Sequence, residues 1–402
     1  MEFSVQSQVQ CHTVRTGADR LLTDSRGLIE NKRVGILTNH TGRLSNGEHL
    51  VDAVVQSGLA DVTALFGPEH GIMGDTPDGE VVDNAKHPQY GIPMYSLYGK
   101  IHKPTKEMLS GVDLLICDIQ DIGARFYTYI STIALALEGA AEQGVSVLIL
   151  DRPNPIRGID FDGPIREQSL RSFVGWMPIP VMHGMTIGEL ARMWNDEHQL
   201  EKEVHADLTV VPMEGWARSM WYDETSIPWI SPSPNMQRLS TAAIYPGLCF
   251  IEGTSISEGR GTPSPFELIG APWAEPKEII QVLEQFSIPG VTFSEEDFIP
   301  KEIPGTASEP KYEGERCRGI RLTVKDRDIV QPVRLGIQVI SAFKKVHPEK
   351  TELRNRRFDI LTGKSDVRKS IDAHADPQKI FDSWESERHA FGSVREKYLL
   401  YT

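Results

Sequence analysis

The stretch "VDLLICDIQDIGARFYTYISTIALALEGAAEQGVSVLILDRP", Val112 to Pro153, holds a strand, a helix and a second strand. "VDLLICDIQD" (Val112 to Asp121) is a short apolar run that breaks into polar residues. "FYTYISTIALALEGAAEQG" is long, apolar on most faces, and ends at Gly144 as a glycine-closed helix does. "VSVLILDRP" (Val145 to Pro153) is apolar again. A helix between two continuously apolar strands is a βαβ unit, whose strands run parallel and are covered on both faces.

The same texture extends on both sides. Upstream, "RVGILTN" (Arg33 to Asn39) and "VTALFG" (Val62 to Gly67) are strands, with the helical spacing of "HLVDAVVQSG" between them closing on Gly58. Downstream, Thr186 caps a helix with Glu189 three residues on, and "ADLTVVPM" is another strand. "WISPSPNMQ" is extended, because each residue before a proline is pushed out of the helical region. From about residue 275 the pattern changes. "PKEIIQVLEQF" and "VRLGIQVISAFKKVHP" are helical, "GVTFSEEDF" and "CRGIRLTVKD" are strands, and Pro377 to Tyr398 is helical and charged. The expectation is an α/β fold: a mostly parallel sheet with helices on both faces over residues 1–272, and a smaller C-terminal α+β domain over residues 273–402.

A chain of 402 residues has room for that division, at roughly 100–200 residues per domain. The formal net charge of −14 argues against nucleic acid and against a polybasic membrane patch. Its apolar runs are far shorter than the roughly 20 residues a bilayer span needs. Cys11, Cys117, Cys249 and Cys317 are scattered with no C-x-x-C pair, so no structural zinc is expected. The polar N-terminus lacks the pattern of a signal peptide, which makes the cytoplasm the expected location.

Each apolar run ends in polar residues: Asn39 and His40, Glu69 and His70, Asp118 and Asp121, Asp151 and Asn154. In an open parallel sheet these ends share one edge, where doubly wound proteins bind ligands. Familiar cofactor and nucleophile signatures are missing. "EGRGTPSP" lacks the third glycine of a dinucleotide loop, and there is no P-loop, no H-E-x-x-H and no G-x-S-x-G elbow. No cofactor and no metal is expected.

Each polar candidate has a plain structural alternative. Glu69 and His70, between Gly67-Pro68 and Gly71, cap a turn on the plain view; a carboxyl partly desolvated in a crevice is instead a general acid. Asp118, Asp121 and Arg125 make an ion pair or a clamp on sugar hydroxyls, with Phe126, Tyr127 or Tyr129 as a stacking face. Asp151, Arg152 and Asn154 build a turn or reach the same ligand. Glu252, Glu258 and Arg260, set among glycines, pair with each other or bring a second carboxylate near Glu69, as most glycosidases require. Trp176, Trp194, Trp216, Trp221, Trp229 and Phe250 are core residues or sugar platforms.

Several long motifs then stand in order: "LTNHTG", "ALFGPEHGI-MGD", "MYSLYGK", "DIQDIGARFYTY", "LDRPNP", "HGMTIGELA", "SPSPNM", "EGTSISEGRGT", "PFELIGAPW" and the ending "REKYLLY". Together, over nearly the whole chain, they closely resemble the NamZ-type exo-β-N-acetylmuramidases. The resemblance implies a Rossmann-like N-terminal domain, a smaller C-terminal domain, and a cofactor-independent glycosidase. Such an enzyme releases terminal N-acetylmuramic acid from the non-reducing end of muropeptides or disaccharides. It implies Glu69 as the acid, tuned by His70, and a site drawing on the motif residues named above together with His183 and Asn235. Muramic acid carries a lactyl carboxylate, for which Arg125, Arg152 and Arg260 are the expected cations. A muropeptide-binding protein without turnover, or another enzyme on the same scaffold, shares these features.

Overall fold

The computed structural model describes residues 13–74 and 84–402. Cys11, Asp75 of the "MGD" motif and most of the polar N-terminal stretch lie outside the described residues. Strands β1 (Arg33–Thr38), β2 (Asp61–Gly67), β3 (Ala85–Lys86), β4 (Pro93–Ser96), β5 (Leu114–Asp118), β6 (Ser146–Leu150) and β7 (Leu208–Val211) form the larger sheet. Their order is β3-β4-β2-β1-β5-β6-β7. All neighbours are parallel except β3 and β4. The chain winds outward from β1 through β2 to β4, then restarts beside β1 and builds β5, β6 and β7. This is the expected Rossmann-like topology, and the direction of winding switches between β1 and β5.

The apolar runs are continuous because both faces of the sheet are covered. Side chains alternate between faces along a strand. Leu114, Ile116, Leu148 and Leu150 pack on one side with helices α1 (Gly17–Leu21) and α2 (Leu50–Ser57). Leu115, Cys117, Val147 and Ile149 pack on the other with α3 (Thr128–Gln143) and α4 (Ile187–Asp196). The expected helix ends are present. Gly58 and Gly144 close α2 and α3 with φ of 64° and 67°, and Thr186 and Glu189 form a reciprocal capping box on α4.

The chain continues through α5 (Leu239–Leu248), β8 (Leu268–Ala271), α6 (Pro276–Gln285), β9 (Val291–Glu295), β10 (Arg318–Val324), α7 (Pro332–Val346), α8 (Asn355–Thr362), α9 (Ser365–Asp372), α10 (Pro377–Asp382) and α11 (Glu385–Arg395). The smaller sheet is antiparallel, in the order β8-β10-β9. The expected boundary at 272/273 therefore falls just after β8, a strand of this second sheet. Helices α5 and α7 cross where Gly247 faces Gly336; a Cβ on Gly336 would lie 2.2 Å from the Gly247 carbonyl oxygen. One apolar core runs from β5 and β6 through α3, α5 and α7 to Ile269, Ile320 and Leu322 of the second sheet. The two parts are thus fused, and a cavity lies where they meet.

Cys117, Cys249 and Cys317 are buried free thiols. Among the described residues, no helix is long and apolar enough to cross a membrane.

Candidate active site

The cavity is built first by the turn that ends β2. Gly67 is tightly packed against the turn, since a Cβ there would lie 3.0 Å from the Ile72 nitrogen. Pro68 has no N–H to continue the ladder. The Gly71 N–H donates to the Pro68 carbonyl at 3.0 Å and closes the turn. His70, inside it, is buried with φ of 69°, a left-handed conformation uncommon for any residue but glycine. Such backbone strain concentrates at functional sites. The turn leaves Glu69 on the wall of a cavity of about 780 Å³. Thr128, the first residue of α3, donates its hydroxyl to Glu69 Oε2 at 2.7 Å and fixes the carboxyl.

The facing wall comes from the second half of the chain and is charged. Arg260 and Arg357 donate to opposite oxygens of Glu252, at 2.9 and 2.7 Å. Burial works to raise the Glu252 pKa, but the two guanidiniums overcome it and hold the carboxyl at about 2. Glu252 is therefore ionised at neutral pH and is no proton donor. Glu258 accepts from Lys311 Nζ at 2.9 Å, and Arg260 Nε lies 3.7 Å from its other oxygen. The same ammonium donates to the carbonyls of Ile251 and Ile256, which anchors the 306–311 loop at the rim. Gly259 follows with φ of 77°, and a Cβ there would lie 2.5 Å from the Leu268 oxygen, so the turn that presents Glu258 needs glycine.

A third side is aromatic. The His102 ring stacks on Phe173, with centroids 4.2 Å apart, and Tyr98 leans on both. Tyr127 lines the cavity nearby. Asn235 also lines it and donates to the Thr306 carbonyl at 2.7 Å, which ties the "SPSPNM" segment to the opposite rim.

Of the residues singled out from sequence, the structure brings together Glu69, His70, Phe126, Tyr127, Asn235, Glu252, Glu258 and Arg260. The others do not line the cavity, and the expectation that they meet substrate is corrected. Asn39 turns its side-chain oxygen to the N–H and hydroxyl of Thr41. Asp118 is buried under Arg152, whose Nη2 donates to it at 2.8 Å and to the Arg43 carbonyl at 2.9 Å. Asp121 accepts from the Gly123 N–H at 2.8 Å and faces His183 Nε2 at 3.2 Å; the other His183 nitrogen accepts from Met185. Arg125 is 1% exposed and donates to the carbonyls of Pro164, Ile179 and Leu361, while burial pulls its pKa down to about 9. Asp151 accepts from Thr186, Gly188 and Tyr401, and burial raises its pKa to about 6. Asn154 donates to the Met185 carbonyl. Among the aromatics, Trp194, Trp216, Trp221 and Phe250 are buried, and none of the six candidates lines the cavity.

Sequence reasoning missed Thr128, Tyr98, His102, Phe173, Lys311, Arg354 and Arg357, all on the cavity wall. Thr128 was in sight inside "DIQDIGARFYTY". The cations at 311, 354 and 357 sit in ordinary charged segments with no local signal. Among the described residues, no group of three or more His, Cys, Asp or Glu is placed to hold a metal ion.

Comparison with known proteins gives a consistent result. A family model described as exo-β-N-acetylmuramidase NamZ, N-terminal, matches residues 34–240, and its C-terminal counterpart matches residues 243–401. The chain is 45% identical over 389 residues to the peptidoglycan β-N-acetylmuramidase NamZ of Bacillus subtilis, an alignment covering 96% of this chain and 91% of that protein. Two crystal structures of DUF1343 family proteins from Bacteroides fragilis are similar. One has a TM-score of 0.88 at 33% identity and the other 0.79 at 34%, each covering 97% of this chain and 99% of that one.

Proposed function

The chain belongs to the NamZ family of exo-β-N-acetylmuramidases, and from that premise we infer that it is a glycoside hydrolase acting on peptidoglycan-derived sugars. Its substrates are muropeptides or disaccharides that end in N-acetylmuramic acid, which it removes from the non-reducing end. The observation that carries this reading is the place of Glu69 on the cavity wall: it sits on a strained turn, accepts from the Thr128 hydroxyl, and shares the cavity with Glu252 and Glu258.

In this reading Glu69 protonates the glycosidic oxygen as the bond from C1 to the leaving sugar breaks, and positive charge develops on the sugar ring. Glu258, paired with Lys311, is the second acid of the pair and acts on that charge as base or nucleophile. Water supplies the hydroxyl that completes hydrolysis. His70 holds the turn that aims Glu69. The stacked His102 and Phe173 offer an apolar face for a sugar ring. The cavity volume falls within the range of about 300–1,000 Å³ usual for small-molecule sites.

Release of chromophore from para-nitrophenyl N-acetylmuramide, with the N-acetylglucosaminide as control, tests the reading. Wild type should cleave the muramide selectively, and Glu69→Gln should bind it without turnover. A wild type that binds muramic acid and never cleaves would instead be a muropeptide-binding protein.

A further inference from the structure

Among the described residues, four Arg and Lys side chains line the cavity: Arg260, Lys311, Arg354 and Arg357. Three are engaged. Arg260 and Arg357 clasp Glu252, and Lys311 holds Glu258 and two carbonyls. The Arg354 guanidinium makes no hydrogen bond or ion pair with any described residue. Its position is nevertheless defined. Its backbone N–H donates to the Gly253 carbonyl at 2.8 Å, and it caps the N-terminus of α8. Arg354, Arg357 and Leu361, spaced three and four apart, present one helix face to the cavity. The start of α8 thus brings two guanidiniums to the cavity, that of Arg357 paired with Glu252 and that of Arg354 held in reserve.

Resting on the muramidase reading, we propose that Arg354 is the specificity-determining residue that grips the lactyl carboxylate of the terminal N-acetylmuramic acid. An anionic ligand entering a protein of net charge −14 needs a local cation whose charge is not already cancelled. Arg125 and Arg152 are buried away from the cavity, and Arg260 is committed to Glu252. A guanidinium also matches a carboxylate with two parallel hydrogen bonds. N-acetylglucosamine has no such carboxylate, so Arg354 separates the two sugars.

The test compares para-nitrophenyl N-acetylmuramide with its lactyl methyl ester, which removes the charge and adds a single methyl group. Wild type should prefer the acid by about 10- to 100-fold in kcat/KM, carried mainly by KM. Arg354→Met should lose that preference by slowing on the acid alone, with the ester unchanged. Arg354→Lys should recover part of it, since the charge remains but the fork does not. Because the side chain is exposed, the melting temperature should not move. Equal use of acid and ester by wild type overturns the proposal, as does a Met variant that keeps the preference or loses equally on both. If wild type cleaves neither glycoside, the hydrolase reading fails separately. The carboxylate contact is then read from the affinity of free N-acetylmuramic acid, where equal binding by wild type and Arg354→Met overturns it.

Discussion

At the ends of β1, β5 and β6, Asn39, Asp118, Asp151 and Arg152 are buried and bonded to other parts of the chain. At the end of β2, on the same edge of the same sheet, Glu69 faces a cavity. The residue types are alike and the consequences differ. In a doubly wound sheet the ligand crevice is expected at the switch between β1 and β5. Here Arg152 crosses that crevice to grip Asp118, and a Cβ on Gly42 would lie 2.0 Å from the Thr38 hydroxyl oxygen. With the crevice filled, the open space lies at the corner, where the second half of the chain supplies a facing wall. A polar strand end becomes a site here where the facing half of the chain leaves a cavity against it instead of packing over it.

The largest test of this contrast replaces the acid on each side. Glu69→Gln should cut kcat by about 10²- to 10⁴-fold, the usual worth of a positioned general acid, and leave the melting temperature unchanged. Asp118→Ala should do the reverse. It leaves Arg152 buried without its partner, which costs about 3–5 kcal/mol of stability, while the folded fraction keeps its kcat at low temperature. Chemical denaturation paired with initial rates checks both, and a swap of the two phenotypes would dissolve the distinction.

The pH dependence of stability should separate the regions next. The Asp151 carboxyl is raised to about 6, so its ionised form is disfavoured in the fold. Its penalty is present above pH 6 and fades as pH falls toward 4, an effect on the order of 3 kcal/mol. Glu252 is lowered to about 2, so its contribution is present above the ordinary glutamate range and is lost as pH falls through 2. Urea midpoints at pH 7 and 5 should therefore show Asp151→Asn gaining most at pH 7. A gain that is larger at pH 5 would reverse the assignment. The smallest effect concerns positioning. Thr128→Val removes one hydrogen bond to Glu69 and should lower kcat about 10-fold, equivalent to roughly 1.4 kcal/mol of barrier, with KM nearly constant. An unchanged kcat would mean that the Thr128 hydroxyl does not aim the acid.

Much of the molecule was legible before any coordinates. Strands β1, β2, β5 and β6, the glycine closures at Gly58 and Gly144, and the capping box at Thr186 all follow from periodicity and turn chemistry. So does the placing of Glu69 on a turn, because Gly67, Pro68 and Gly71 act on their immediate neighbours. Strands β3 and β4 were not legible, since "AK" and "PMYS" are too short and half-polar to stand out. By itself, then, the sequence determined the long apolar elements of the larger sheet, their order and the list of polar groups at the sheet edge. Only the tertiary structure decided which of those groups are silent. Asp118 is answered by Arg152, Asp151 by Tyr401 and Glu252 by Arg357, partners 34, 250 and 105 residues away. Whether a carboxylate is neutralised depends on distances of a few ångströms between such partners, and local periodicity carries no information about them.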